Sequence, residues 1–194
     1  MDWKQIEGKW TVEEWLQKEI ETQLCYEYIS GTLLEMQGGN FPHSSINMNV
    51  LTYFNMQFRG RDCKVFGTRF RVQITPTIYL YPDGSAVCGD VICADNEQTM
   101  FANPTLIIET ISPTSAYRDM GIKLDYYQVP SVECVLLVDH SRPHIRLHTK
   151  TERGWLMISY SGLDAVVPVT VFDIQLPLSE IYLDIEFDSP SSSA

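Results

Sequence analysis

The segment Thr105-Leu106-Ile107-Ile108-Glu109-Thr110-Ile111 constrains this chain more than any other. Its apolar side chains occupy odd and even positions alike, the pattern of a strand covered on both faces. Glu109 interrupts that pattern. Removing an isolated carboxylate from water is costly even after the surroundings relax. A fold that buries such a group must supply a cation, a metal ion or hydrogen-bond donors. The segment alone leaves two readings open. Glu109 is either a strand-end glutamate that reaches solvent or closes a structural ion pair, or it is one acid of a reactive centre.

The surrounding patterns predict a mixed α/β fold. Thr11 with Glu14 three places later is a capping-box pattern, which starts a short helix over residues 11–16. Residues 26–36 predict a hairpin turning at Ser30-Gly31. Between 43 and about 58, Ile46, Val50, Tyr53, Phe54 and Phe58 recur at helical spacing. Alternation over 64–74 predicts a strand, and 79–88 a second, with Pro82-Asp83-Gly84 inside it. Residues 105–111 form the third. Ser112-Pro113 ends that strand and opens a helix running to about Gln128, stopped by Pro130. Residues 134–138 are another buried strand, 144–150 and 155–160 a closing hairpin, and 177–182 a short helical piece. The order predicts a central mixed sheet flanked by helices, with an N-terminal helix and hairpin extension. One domain is expected over 1–183, followed by an acidic, serine-rich flexible tail over 184–194.

Composition narrows the function classes. No apolar run is long enough to cross a bilayer. Met1-Asp2-Trp3-Lys4 lacks the layout of a secretory signal, so a cytoplasmic protein is expected. The five cysteines are odd in number and form no CxxC pair, which predicts reduced, mostly buried thiols. The formal net charge is −11, from 14 basic and 25 acidic residues, and this opposes broad, unassisted binding to nucleic acid. Five of those basic residues, Arg59, Arg61, Lys64, Arg69 and Arg71, fall within positions 59–71. Arg69 and Arg71 are expected on one face of a single strand, either as a phosphate-facing stripe or as a solvated face.

Two further residues belong with Glu109. Asp83 lies in Pro82-Asp83-Gly84, which reads either as a plain β-turn or as a bend that re-aims a side chain near a site. Lys123 follows on the next helix, four residues from both Asp119 and Tyr127. It reads either as half of an exposed ion pair with Asp119 or as the basic partner of the acids. Two carboxylates suit Mg²⁺, which takes one or two of them with water and phosphate. A neighbouring lysine can offset the charge that builds as a phosphate is attacked.

These residues resemble the Uma-two family of restriction-endonuclease-like proteins, within the PD-(D/E)XK nuclease superfamily. The resemblance rests on residues 26–36, His43-Ser44-Ser45-Ile46, Tyr81-Pro82-Asp83 and residues 103–109. It continues through Ser112-Pro113, Tyr117, Asp119, Gly121, Lys123, Tyr126, Pro130-Ser131 and Leu136-Leu137-Val138-Asp139, and spans about residues 9–183. It implies a DNA endonuclease in which Asp83 and Glu109 hold Mg²⁺ or Mn²⁺ and Lys123 assists. Glu35 is implied as an auxiliary acid. The lysine of the superfamily pattern stands two residues after the second acid, where this chain has Ile111; Lys123 on the following helix takes its place. A homodimer is expected. The competing expectation is a catalytically inactive nucleic-acid- or protein-binding module that keeps the fold.

Overall fold

The computed structural model describes residues 4–36, 38–111 and 119–187. After strand β1 (Lys4–Ile6), the capping box forms as the sequence predicts. Thr11 Oγ1 accepts from the Glu14 amide at 3.2 Å, and Glu14 Oε2 accepts from the Thr11 amide at 2.8 Å. Helix α1 (Val12–Thr22) continues well past the predicted segment. Its Trp15 is fully buried and donates its indole N–H to the Tyr26 carbonyl at 2.8 Å. This pins α1 against the hairpin β2 (Tyr26–Ile29) and β3 (Thr32–Glu35). Helix α2 (Phe41–Gln57) is capped by Asn40 and buries Ile46, Val50 and Phe54.

The strand predicted over 64–74 is two strands, β4 (Cys63–Gly67) and β5 (Arg71–Thr75). The one predicted over 79–88 is likewise β6 (Ile78–Leu80) and β7 (Gly84–Cys88). β8 (Met100–Phe101), β9 (Leu106–Ile111), helix α3 (Asp119–Tyr127) and β10 (Cys134–Asp139) follow. The predicted start of that helix at Ser112-Pro113 lies outside the described residues. The chain closes with β11 (His144–Thr151), β12 (Gly154–Ser161), β13 (Val166–Val169), β14 (Ile174–Pro177) and the short helix α4 (Leu178–Ile181). Ile185 and Phe187 pack against the core.

The fold is mixed α/β as expected, but its strands divide between two large sheets. One has the order β1-β3-β2-β6-β5-β8, the other β12-β11-β10-β9-β7-β4, and β13 pairs with β14 apart. Both breaks in the predicted strands are passages between the sheets. Pro82 has no N–H to give a ladder, so pairing stops there and resumes in the second sheet at Gly84. Gly84 allows close approach of α2, since a Cβ there would fall 2.5 Å from Leu51 Cδ2.

Alternation along β9 divides its side chains between two cores. Leu106 and Ile108 join the α2 core, together with Leu136 and Leu147. Ile107 and Ile111 face the first sheet and α3, packing with Leu80, Tyr127, Val135 and Leu137. Glu109 belongs by position to that second face. Among the described residues, no helix is long and apolar enough to cross a membrane.

The expectation of reduced thiols needs correction. β4 and β7 pair with Cys63 opposite Cys88, and the two are disulfide-bonded. They are 25 residues apart in sequence, so only the strand register makes them neighbours. Cys25, Cys93 and Cys134 are free, and of these Cys134 is buried.

Candidate functional site

Glu109 and Asp83 meet because β7 and β9 run antiparallel with Gly84 opposite Ile108. That register carries Asp83, one residue before β7, alongside Glu109. The Asp83 amide lies 3.4 Å from Glu109 Oε2, and the Thr110 amide donates to Asp83 Oδ2 at 2.9 Å. The backbone of Asp83 is held as well, since its carbonyl accepts from Asn47 and from Thr68, each at 3.1 Å.

Lys123 enters from α3. Its Nζ lies 2.8 Å from Glu109 Oε1 and 2.8 Å from Oε1 of Glu27, which projects from β2 in the other sheet. Tyr127, one helical turn further on, donates its hydroxyl to Glu109 Oε1 at 2.5 Å. The predicted i,i+4 spacing of Lys123 and Tyr127 therefore aims both side chains at one carboxylate oxygen. The side chains of Glu27, Glu109 and Lys123 are at most 8% exposed. Those of Asp83 and His43 are 14% and 17% exposed, so this side of the cluster is the one open to solvent.

Electrostatics follow from burial and charge. Burial raises the pKa of Glu109, Lys123 lowers it, and Asp83 and Glu27 raise it; the result lies above the ordinary carboxylate value. Burial disfavours the ammonium of Lys123, yet Glu109 and Glu27 outweigh that and hold it well above its usual value. Lys123 is therefore a fixed positive charge and not a proton acceptor near neutral pH. Burial and the Glu109 charge likewise hold the Tyr127 phenol protonated.

His43, in the first turn of α2, places Nε2 3.1 Å from Asp83 Oδ2. Burial opposes its charge, but the hydrogen bond to Asp83 and the charges of Asp83 and Glu109 prevail, so its pKa rises above 6.5. The imidazolium thus binds its proton more tightly in the folded chain than in the unfolded one. Its contribution to stability is complete below pH 6.5 and disappears as pH climbs through the raised value. In His43→Gln, the fall in stability across that window should be visibly shallower, as read by urea denaturation at a series of pH values. Equal slopes for both proteins would disprove the coupling.

The structure thus brings together Asp83, Glu109 and Lys123, and places the other predicted residues elsewhere. Glu35 lies opposite Tyr26 and Lys4 in the ladders, whereas Glu27 lies opposite Leu34. Glu35 therefore points to the opposite face of the sheet from Glu27, and its carboxylate is 3.4 Å from Lys4 Nζ. Arg69 and Arg71 do not share a strand. Arg69 is exposed in the turn before β5, with a left-handed φ of 74°. Arg71 is engaged by Glu19 at 2.7 Å, by the Tyr81 hydroxyl and by Thr99, and stacks over Trp15 on the α1 face.

Sequence reasoning assigned no role to Glu27, Tyr127 or His43. Glu27 carried the same signal as Glu109, a lone carboxylate among large apolar strand residues. Tyr127 was marked only by its spacing from Lys123. His43 was marked only as part of a segment carrying the family resemblance, and its partner lies 40 residues away.

The group also fits a hydrated hard cation. Among the described residues, no three His, Cys, Asp or Glu side chains form a cage for an ion. What the site offers is a two-carboxylate donor set, the kind Mg²⁺ accepts while retaining its water. Lys123 and Tyr127 occupy Glu109 Oε1, which leaves Oε2 facing Asp83. Residues touching the cluster carry three buried oxygens with no hydrogen-bond partner among the described residues: Glu27 Oε2, Thr110 Oγ1 and Asn47 Oδ1. Buried polar atoms of this kind are normally satisfied by water or an ion.

Comparison with known proteins bears on the family and the fold. Residues 12–179 match the family described as "Uma2: Putative restriction endonuclease". A Synechocystis protein, slr1290, is 32% identical over 160 residues, covering 80% of this chain and 83% of its own. A second from that organism, sll1609, is 26% identical over 167 residues, covering 84% and 94%. Both are described as uncharacterized. A crystal structure from Anabaena variabilis, described as "a putative nuclease belonging to DUF820", superposes with a TM-score of 0.72. It is 20% identical and covers 89% of this chain and 97% of that one. At that identity, the likeness concerns the fold.

Proposed function

Because the chain belongs to the Uma2 family, we propose that it is a metal-dependent endonuclease hydrolysing phosphodiester bonds in DNA. One observation carries the reading. Lys123 Nζ lies 2.8 Å from Glu109 Oε1 while the other oxygen of that carboxylate turns toward Asp83. Asp83 Oδ1 and Glu109 Oε2 would hold Mg²⁺ or Mn²⁺. When bound, the ion would supply a Lewis acid for a phosphate oxygen. Lys123, charged throughout, would offset negative charge developing on the phosphoryl group. Tyr127 would fix the rotamer of Glu109, and His43 with the Thr110 amide that of Asp83. A phosphodiester would approach from the Asp83–His43 side, where the cluster reaches solvent. A chain of net charge −11 would bind duplex DNA through the metal, and weakly without it.

The second reading is a binding module that keeps the fold without activity. A lysine clamped between two glutamates, as Lys123 is, also suits a purely structural ion pair. Nicking of supercoiled plasmid separates the two. Wild type should relax plasmid with Mg²⁺ or Mn²⁺ and not with excess chelator, and calorimetry should show metal binding that is lost in Asp83→Ala. Metal binding unchanged in Asp83→Ala would remove the proposed role of Asp83. DNA binding without any nicking would favour the module.

A further inference from the structure

β12 ends the second sheet, with β11 on one side and, among the described residues, no strand on the other. Its eight residues, Gly154-Trp155-Leu156-Met157-Ile158-Ser159-Tyr160-Ser161, include no charge and no proline. Natural edge strands are normally protected by such residues, by bulges or by being very short. β12 has none of these and pairs with β11 in unbroken register over its whole length. Three consecutive large apolar side chains on it are about half exposed: Leu156 at 51%, Met157 at 50% and Ile158 at 43%. In a strand, consecutive residues point to opposite faces, so apolar surface is presented on both sides of the sheet.

We propose that the free edge of β12 pairs antiparallel with the same edge of a second copy of this chain, joining the two sheets across a two-fold axis. A second copy is the occupant the geometry favours, because the edge is self-complementary. In an antiparallel two-fold pair, residues that face each other must lie on the same side of the sheet. With Met157 on the axis, Leu156 stands opposite Ile158 of the second copy, and Ile158 opposite its Leu156. Ile158 already continues a row that begins with buried Leu136 and Leu147 in the adjoining strands. Pairing therefore extends an existing apolar face. No like charges oppose across the ends: exposed Arg153, beside Glu152 in the turn before β12, comes toward the other copy's far end, where exposed Asp164 follows the strand. The acids Asp83 and Glu109 lie just before β7 and on β9, separated from this edge by β10 and β11, so the interface stands whether or not the chain is a nuclease.

Sedimentation equilibrium on the full chain, over a concentration series reaching about 100 µM, tests this. Wild type should approach twice its 22.2 kDa mass in a reversible equilibrium. Met157→Lys puts two ammonium groups against each other on the axis and should raise the dissociation constant by about a hundredfold. Met157 is half exposed in the single chain, so this variant should keep the wild-type circular dichroism. Met157→Cys gives an independent reading, because only this register sets position 157 against itself. Mild oxidation should cross-link that variant to a covalent dimer, with wild type as the control for exposed Cys93. A wild type that stays monomeric throughout would overturn the proposal. So would a dimer that is equally tight in Met157→Lys and leaves Met157→Cys without a cross-link.

Discussion

Replacing Lys123 with methionine should lower the stability of the folded chain by about 3–5 kcal/mol, the cost of leaving buried charge without its partner. Lys123 is the cation between Glu27 and Glu109, each 2.8 Å from its Nζ. Methionine keeps most of the volume and removes the charge, so two buried carboxyl groups would face each other across an apolar side chain. The variant should also acquire a distinct pH dependence. Glu109 already titrates above the ordinary carboxylate value of 4.5 through burial and the charges of Asp83 and Glu27, and Lys123 is what restrains it. Without Lys123, its pKa in the folded chain would rise further. A carboxyl that binds its proton more tightly when folded favours folding at low pH, and that benefit declines as pH rises through the folded pKa. Lys123→Met should therefore lose least stability near pH 4.5 and progressively more above it. Urea denaturation from mildly acidic to neutral pH measures this directly. Adding Glu27→Gln should restore part of the loss, because it removes one of the opposed carboxylates. Parallel pH curves for wild type and Lys123→Met, or no rescue by the second change, would show that the lysine does not hold this cluster together.

Glu109→Gln should do the reverse, with a large loss of activity and a modest change in stability. The amide keeps the shape of the side chain and an acceptor for Tyr127 and Lys123. Lys123 also retains Glu27, so no buried charge is stranded. Destabilisation should stay within about 2 kcal/mol, in the range of a weakened hydrogen-bonded contact. Under the nuclease reading, the same change removes one of two carboxylates that would hold the metal. Losing several kcal/mol of transition-state stabilisation corresponds to about a thousandfold lower rate of plasmid nicking. The two variants thus separate structural from chemical roles within one cluster. Nicking by Glu109→Gln at the wild-type rate would exclude Glu109 from the chemistry and point to a contaminating nuclease as the source of the activity.

Much of the local structure was legible in the sequence, because it depends on neighbours a few residues apart. The Thr11–Glu14 cap, the turn at Ser30-Gly31, the helical spacing from Ile46 to Phe58 and the closing hairpin around Gly154 all stand where the pattern predicts. Glu109 stood out by the same reasoning as a lone carboxylate in an apolar strand, but the pattern left open whether it reached solvent. Alternation could not tell a continuous strand from one that passes between sheets, because both sides of the break keep the same period. Hence 64–74 and 79–88 each read as one strand.

Pairing was decided only by the tertiary structure. Glu27 and Glu35 are equally plausible acids by composition, and the β2–β3 register turns one toward Lys123 and the other toward Lys4. The bond between Cys63 and Cys88, the contact of His43 with Asp83 and the capture of Arg71 by Glu19 arise in the same way. Each joins residues 25 or more positions apart. The sequence by itself determined the main helices and the longer strands, and that Glu109, if buried, must be matched by something. The packing of two sheets and a helix determined what matches it, because that depends on strand register and sheet assignment, which no local periodicity encodes.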